Sequence, residues 1–283
     1  MPTGSGGPGG TPVPDASGSP GPADPDSDGA SRDLVLRVDV GGGVAGPDQN
    51  ALSIPQVSIY ADGRVISQGV QIMIYPGPAL PPLMLSRLSP VGLDRVLGAA
   101  SDAGLTSGDR HLPMRGIPDA HTTTFTVTVG GETHVVTAEA LGLEAGHEDQ
   151  FDAPEFQARQ AMLDLQGSLT DLRSWLGTDL LADGLPYEFD ELRVFARPGL
   201  PPGEPDLAQP DLEWPLSVDL ASFGEPYPIG EGARCGTISG EELSTLLPLA
   251  LGANQLTLWE SGGDRYELLF RPLLPDEAGC PDT

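Results

Sequence analysis

Apolar and polar positions alternate most regularly along Thr122–Leu141, TTTFTVTVGGETHVVTAEAL, and the first domain is organised around this stretch. Phe125 and Val127 alternate with threonines up to Gly130-Gly131, and a second β-branched run follows, the pattern of a β-hairpin whose turn uses the positive φ that glycine adopts without penalty. Two registers are possible. A two-residue Gly130-Gly131 turn pairs His134 with Val127 on the apolar face. A three-residue turn that adds Glu132 pairs Val127 with Val135 and sets His134 opposite Thr128 on the polar face. The second is expected, because it keeps an ionisable ring in water.

The same patterns divide the rest of the chain. Asp33–Val40, DLVLRVDV, alternates Leu34, Leu36 and Val38 and predicts the first strand. Val57–Tyr60 and Arg64–Ile66 flank Asp62-Gly63 and predict a hairpin, with a further strand at Gln71–Tyr75 before the rigid Pro-rich run 76–82. A helix follows with Ser89 as cap, Pro90 in its first turn, Leu93, Val96, Leu97 and Ala100 on one face, and Gly104 as its stop. Met162, Leu165, Leu169, Leu172 and Leu176 step by three and four and predict one long helix over 153–176, capped by Asp152 and ended by Gly177. Tyr187–Arg197 begins a second strand-rich region, and the Pro-rich stretch 198–215 reads as an ordered surface loop. Ser239 and Glu242 form a capping box ahead of Leu243, Leu246, Leu247 and Ala250. Leu256–Glu260 and Tyr266–Phe270 then flank a Gly-Gly turn.

The fold expected is α+β: two β-rich domains, each with antiparallel hairpins and one packed helix, joined by a longer helix. The boundaries read as a Gly/Pro/Ser/Asp tether over 1–31, a first domain over 32–145, a linking helix over 146–185 and a second domain over 186–283. Both domains place a capped helix before a glycine-turned hairpin, which suggests distant copies of one plan.

Composition narrows the setting. With 38 Gly and 30 Pro in 283 residues, turns and short strands are favoured over a helical bundle. The formal charge is −27 and all 14 basic residues are arginines, so phosphate backbones and anionic headgroups are repelled and no nucleic-acid partner is expected. No run of 18 apolar residues occurs, which excludes a transmembrane helix. Residues 1–30 are too polar to offset their ordering entropy and contain no apolar signal region. They resemble the spacer that follows a lipoprotein's acylated cysteine, with that cysteine and its signal removed. Cys235 and Cys280, alone in the chain, predict one disulfide in an oxidising compartment.

Candidate chemistry is sparse. Asp24–Gly29 matches the first half of an EF-hand loop, but the twelfth position falls on Val35 instead of a bidentate Glu, so a solvated acidic linker is the reading. Gly41–Gly46 satisfies G-x-G-x-x-G, but Pro47 and a polar loop follow where a phosphate-binding helix would be needed. The four histidines are His111, His121, His134 and His147. If the hairpin brought His121 and His134 together, a metal could use them with a carboxylate such as Asp119. No close-spaced metal motif and no G-x-S-x-G elbow exists, so these histidines read as surface or cap residues and no cofactor is expected. Trp175, Trp214 and Trp259 read as core or interface anchors.

The run IYADGRVI, the helix after it and AHTTTFTVTVGGETHVV resemble small bacterial extracytoplasmic domains of unknown function. The closing RCGTISGEEL and YELLFRPLLPDE resemble the tails of uncharacterised actinobacterial secreted proteins or lipoproteins. The resemblance covers most of residues 33–280, and it implies a location outside the cytoplasm and carries no catalytic residue. The function expected is a non-catalytic cell-envelope module with an unknown protein or envelope partner, held by a lipid anchor on a preceding cysteine. The alternative is a hydrolase or metal-dependent enzyme with its site between the domains.

Overall fold

Strand β1, Leu34–Gly42, lies at the middle of an eight-stranded sheet because its alternate residues Leu36 and Val38 are both fully buried. The computed structural model describes residues 32–71, 74–199, 207 and 209–281. The tether, the EF-hand-like Asp24–Gly29 and much of the 198–215 loop lie outside the described residues. After β1 come α1 (Pro47–Ala51), β2 (Val57–Tyr60), β3 (Arg64–Gln68), β4 (Leu83–Arg87), α2 (Pro90–Asp102), β5 (Arg110–Leu112), β6 (His121–Val129) and β7 (Glu132–Glu139). Then follow α3 (Ala153–Thr170), α4 (Leu172–Leu176) and β8 (Leu185–Pro186). The sheet order is β5-β7-β6-β1-β2-β3-β4-β8, antiparallel except for the short parallel edge pair β5–β7.

The predicted helix boundaries hold where caps specify them. The Ser89 hydroxyl accepts the Gly92 N–H at 3.2 Å, and Gly104 follows the helix with φ +75°. Asp152 likewise caps α3 through the Glu155 N–H at 2.8 Å. The five-residue leucine and methionine stripe is buried throughout against the first sheet. It does not lie on one helix, however. Asp171 adopts φ −126° and ψ 62° and accepts the Ser174 N–H, so it caps a new turn and breaks the helix between Thr170 and Leu172.

The hairpin register corrects the sequence expectation. Val127 pairs with His134, Thr126 with Val135 and Phe125 with Val136 around a two-residue Gly130-Gly131 turn. Both glycines have positive φ, +62° and +82°, the geometry whose twist matches that of the flanking strands. Turn geometry outweighs the preference for keeping His134 in water, and that side chain stays half-exposed because it lies close to the turn, at the hairpin's exposed tip. Two further expectations change. Gln71, Ile74 and Tyr75 lie in no strand; β4 forms instead at Leu83–Arg87, beyond the proline run. The polar loop after Gly46 contains the single turn α1, and β1 is antiparallel to β2, so this stretch is not a βαβ unit.

The second sheet uses β9 (Glu191–Pro198), β10 (Leu212–Glu213), β11 (Glu225–Pro226) and β12 (Arg234–Ser239), then α5 (Gly240–Gly252), β13 (Leu258–Ser261) and β14 (Asp264–Pro272). Its order is β10-β13-β14-β9-β12-β11. Ser239 precedes α5 but makes no side-chain cap bond. Gly240, with φ +57°, turns the chain straight from β12 into the helix and leaves Ser239 paired to β9 across from Glu191. Pro248 is accommodated inside the helix, which ends at Gly252 as expected. In the first sheet the hairpin's leading strand pairs with β1, whereas here the trailing strand β14 pairs with β9. The two plans therefore differ in connection.

Each sheet buries one face under helices. α2, α3 and α4 cover the first core, and α5 covers the second, where Trp259 stacks edge-on against Trp214 and Phe270. The remaining faces are joined by α1 and by residues 273–280. Ala51 packs with Phe195 and Cys235, and Leu274 packs with Tyr60, Ile66 and Leu83. β2 is accordingly buried on both faces. Leu80, from the loop between β3 and β4, enters the second core. The described residues form one compact unit. No helix among the described residues is long and apolar enough to cross a membrane.

Candidate functional site

The histidines do not converge. His121 opens β6 and its Nε2 lies 3.3 Å from the Leu141 carbonyl oxygen. His134 pairs with Val127, six residues further along β6, which places the two rings about 20 Å apart along the hairpin at about 3.4 Å per residue. Asp119 sits before β6 in a left-handed conformation, φ 55°. His111 contacts Thr137 at 2.8 Å, and His147 contacts Gln150 at 3.0 Å. Among the described residues no group of three or more His, Cys, Asp or Glu side chains is placed to hold a metal. The proposed trio of His121, His134 and Asp119 is therefore not assembled by the fold.

Charged chemistry concentrates elsewhere, at the seam between the sheets. β1 alternates, so while Leu36 and Val38 enter the first core, Arg37 and Asp39 point to the opposite face. Ser58 and Tyr60 of β2 share that side, both fully buried. On the second sheet Arg193 of β9 lies directly across from Arg271 of β14. Two like charges in that position repel, so the pair requires anionic partners. The segment after β14 supplies them. Glu277 receives Arg271 through two hydrogen bonds of 2.5 and 2.7 Å, and Asp276 accepts the Tyr60 hydroxyl at 2.6 Å and Arg37 at 2.8 Å. Arg193 donates to the Gly279 carbonyl at 2.6 Å, and Arg37 also reaches the Ser58 hydroxyl at 3.0 Å.

Tyr60, Glu277, Asp39 and Arg193 titrate away from their ordinary values. Burial raises the Tyr60 hydroxyl, and its hydrogen bond to Asp276 raises it further. Burial also pushes the Glu277 carboxyl up, but the hydrogen bonds and charge of Arg271 more than offset this and hold it below the usual carboxylate range. Asp39 behaves oppositely: desolvation dominates, Arg37 compensates only in part, and the carboxyl is held above its ordinary value. Burial lowers Arg193, with the neighbouring Arg271 acting in the same direction. The seam is thus two guanidinium–carboxylate pairs, Arg37–Asp276 and Arg271–Glu277, with Arg193 on a backbone carbonyl and Asp39 as a half-buried acid that gains little from them.

A second polar feature is a cleft of about 370 Å³ beside the break between α3 and α4, lined by Gln56, Ser67, Ser86, Asp171 and Arg173. Arg173 is engaged with Asp183. A third is the buried Arg159, which holds Glu144 at 2.9 Å and the carbonyls of Leu112 and Glu139, with its guanidinium 4.8 Å from the Phe151 ring centre. It ties α3 to the β5–β7 edge.

Cys235 and Cys280 form the expected disulfide, with Cα atoms 6.1 Å apart. Sequence reasoning missed the seam, although one signal was present. A strand reading LRVDV places charges on one face, and if that face is also covered they must be paired within the protein. No family model matches the chain, and no curated protein matches it.

Proposed function

We propose that this chain is an extracytoplasmic cell-envelope module that binds a partner or serves structurally and performs no catalysis. The observation that carries the reading is the disulfide between Cys235 and Cys280, since such bonds form and persist in oxidising compartments. The short acidic spacer at the start of the sequence and the field of −27 charges suit a soluble domain kept clear of an anionic surface. The likeness to actinobacterial secreted proteins and a lipid anchor on a preceding cysteine belong to the same proposal. The non-catalytic half is supported by how the charged side chains are used. Arg37, Arg159, Arg197 and Arg271 each hold a carboxylate of the same chain, so these cations are spent on joining elements.

The test is fractionation of the native host, with intact-mass measurement of the recovered protein before and after reduction and alkylation. Recovery from the envelope or medium, with two alkylations appearing only after reduction, is the expected result. Recovery from the cytoplasm with both thiols free refutes the proposal.

A further inference from the structure

Residues 273–280 bridge the two sheets and are fastened to both. Towards the first sheet, Leu274 is buried with Tyr60, Ile66 and Leu83, and Asp276 accepts from Tyr60 and Arg37. Towards the second, Glu277 holds Arg271, the Gly279 carbonyl holds Arg193, and Cys280 is bonded to Cys235 of β12. Besides this segment, the seam holds Ala51 and Leu52 at the end of α1, Ile229 and Ala233 from the loop after β11, and Ile54 and Tyr187, while Asp48 pairs with Arg197 and the Ser53 carbonyl accepts from Arg271. The two large helix-covered cores contain none of residues 273–280, whereas both small seam clusters draw on the segment, one through Leu274 and one through Cys280. Free energy of local opening follows such differences in burial, so the seam is the part that can open while the cores persist.

We infer that residues 273–280 are an oxidation-dependent clasp. With the disulfide formed, the strap holds the free faces of the two sheets together; with it reduced, the seam opens locally and uncovers Tyr60 and the arginines. The inference stands whether or not the protein resides outside the cytoplasm. A dithiol reductant supplies the two electrons. Its first thiolate attacks Sγ of the half-buried Cys280, the S–S bond breaks, and Cys235, which is 1% exposed, leaves as a thiolate and takes up a proton. The reductant's second thiol then attacks the mixed disulfide, closes the reductant's own disulfide and releases Cys280 as a thiol. Without the bond the strap is held by non-covalent contacts alone, which can open and reclose in local fluctuations.

Hydroxyl-radical footprinting of the full-length protein tests this, with three internal probes. Tyr60 is fully buried under the strap, Tyr75 is 65% exposed and serves as the reference for full labelling, and Met162 is fully buried in the first core. In the oxidised protein Tyr60 should be protected like Met162. After reduction and alkylation, Tyr60 labelling should rise to approach that of Tyr75 while Met162 stays protected. Cys280→Ser should reproduce the reduced pattern without any reductant. Asp276→Asn with the disulfide intact should leave Tyr60 protected. The inference is overturned if both thiols are alkylated and Tyr60 remains protected, if Tyr60 and Met162 become labelled together, or if Asp276→Asn alone uncovers Tyr60.

Discussion

Arg159 offers the sharpest test of how the first core is held. Its guanidinium is fully buried, its Nε donates to a Glu144 carboxylate that is 4% exposed, and its other nitrogens reach the carbonyls of Leu112 and Glu139. Glu144→Leu removes the counter-charge and leaves a cation in the core. Breaking one side of a buried ion pair costs about 3–5 kcal/mol, a factor of roughly 150 to 5,000 in the folded-to-unfolded ratio. With a urea m-value of about 3 kcal/mol/M, the upper end of the usual range, the unfolding midpoint should fall by roughly 1–2 M. Arg159→Met should cost a similar amount, since it strands the Glu144 carboxylate and two carbonyl acceptors. The decisive measurement is the double variant. On the Arg159→Met background, Glu144→Leu removes an unpaired buried carboxylate, so its cost should vanish or change sign. Urea unfolding followed by circular dichroism gives all four midpoints at constant m. If Glu144→Leu costs the same in both backgrounds, the two side chains are not coupled and the account of this core is wrong.

Other perturbations are equally specific. Replacing both cysteines by serine opens a loop of 45 residues, and the midpoint of urea unfolding should fall by the equivalent of about 4 kcal/mol on the chain-entropy account; no change on adding reductant to the wild type would contradict this. Ser89→Ala should cost about 1 kcal/mol by thermal or urea unfolding, because its hydroxyl caps α2, while Ser239→Ala should be close to neutral because it caps nothing. Gly224 has φ +54°, and a β-carbon there would lie 1.9 Å from the Cys235 carbonyl oxygen, so Gly224→Ala should prevent stable folding. Gly130→Ala, at φ +62° in open space, should cost only about 1–2 kcal/mol, and equal effects of the two would refute the steric reading. Asp39→Asn should stabilise the protein at pH 7. Its folded-state carboxyl lies above the unfolded value of 3.8, so the charged form is disfavoured in the fold and the wild type loses stability as pH rises through that window. The difference between variant and wild type should disappear below about pH 3.8, where Asp39 is protonated in both states, and a variant less stable at pH 7 would overturn the assignment.

Local chemistry was written plainly in the sequence. The glycine-turned hairpins, the Ser89 and Asp152 caps, the Gly104 stop, the buried leucine stripe and the Cys235–Cys280 pair all follow from backbone preferences, short-range hydrogen bonds or the scarcity of cysteine. Each depends on residues close in the chain or on a single possible pairing. Where two local rules competed, tertiary geometry decided. The Gly-Gly turn set His134 beside Val127, Asp171 divided one leucine stripe between two helices, and Gly240 left Ser239 in its strand. The seam was beyond the reach of periodicity, because Arg37, Tyr60, Arg193 and Arg271 come from four strands of two sheets and are tied together by Asp276, Glu277 and the Gly279 carbonyl. Apolar alternation marks which strand face is buried but carries no information on whether the opposite face is covered too. Only the packed structure shows that it is, and the physical consequence is that the arginines on that face take their acceptors from within the chain, while Asp39 bears the cost of desolvation.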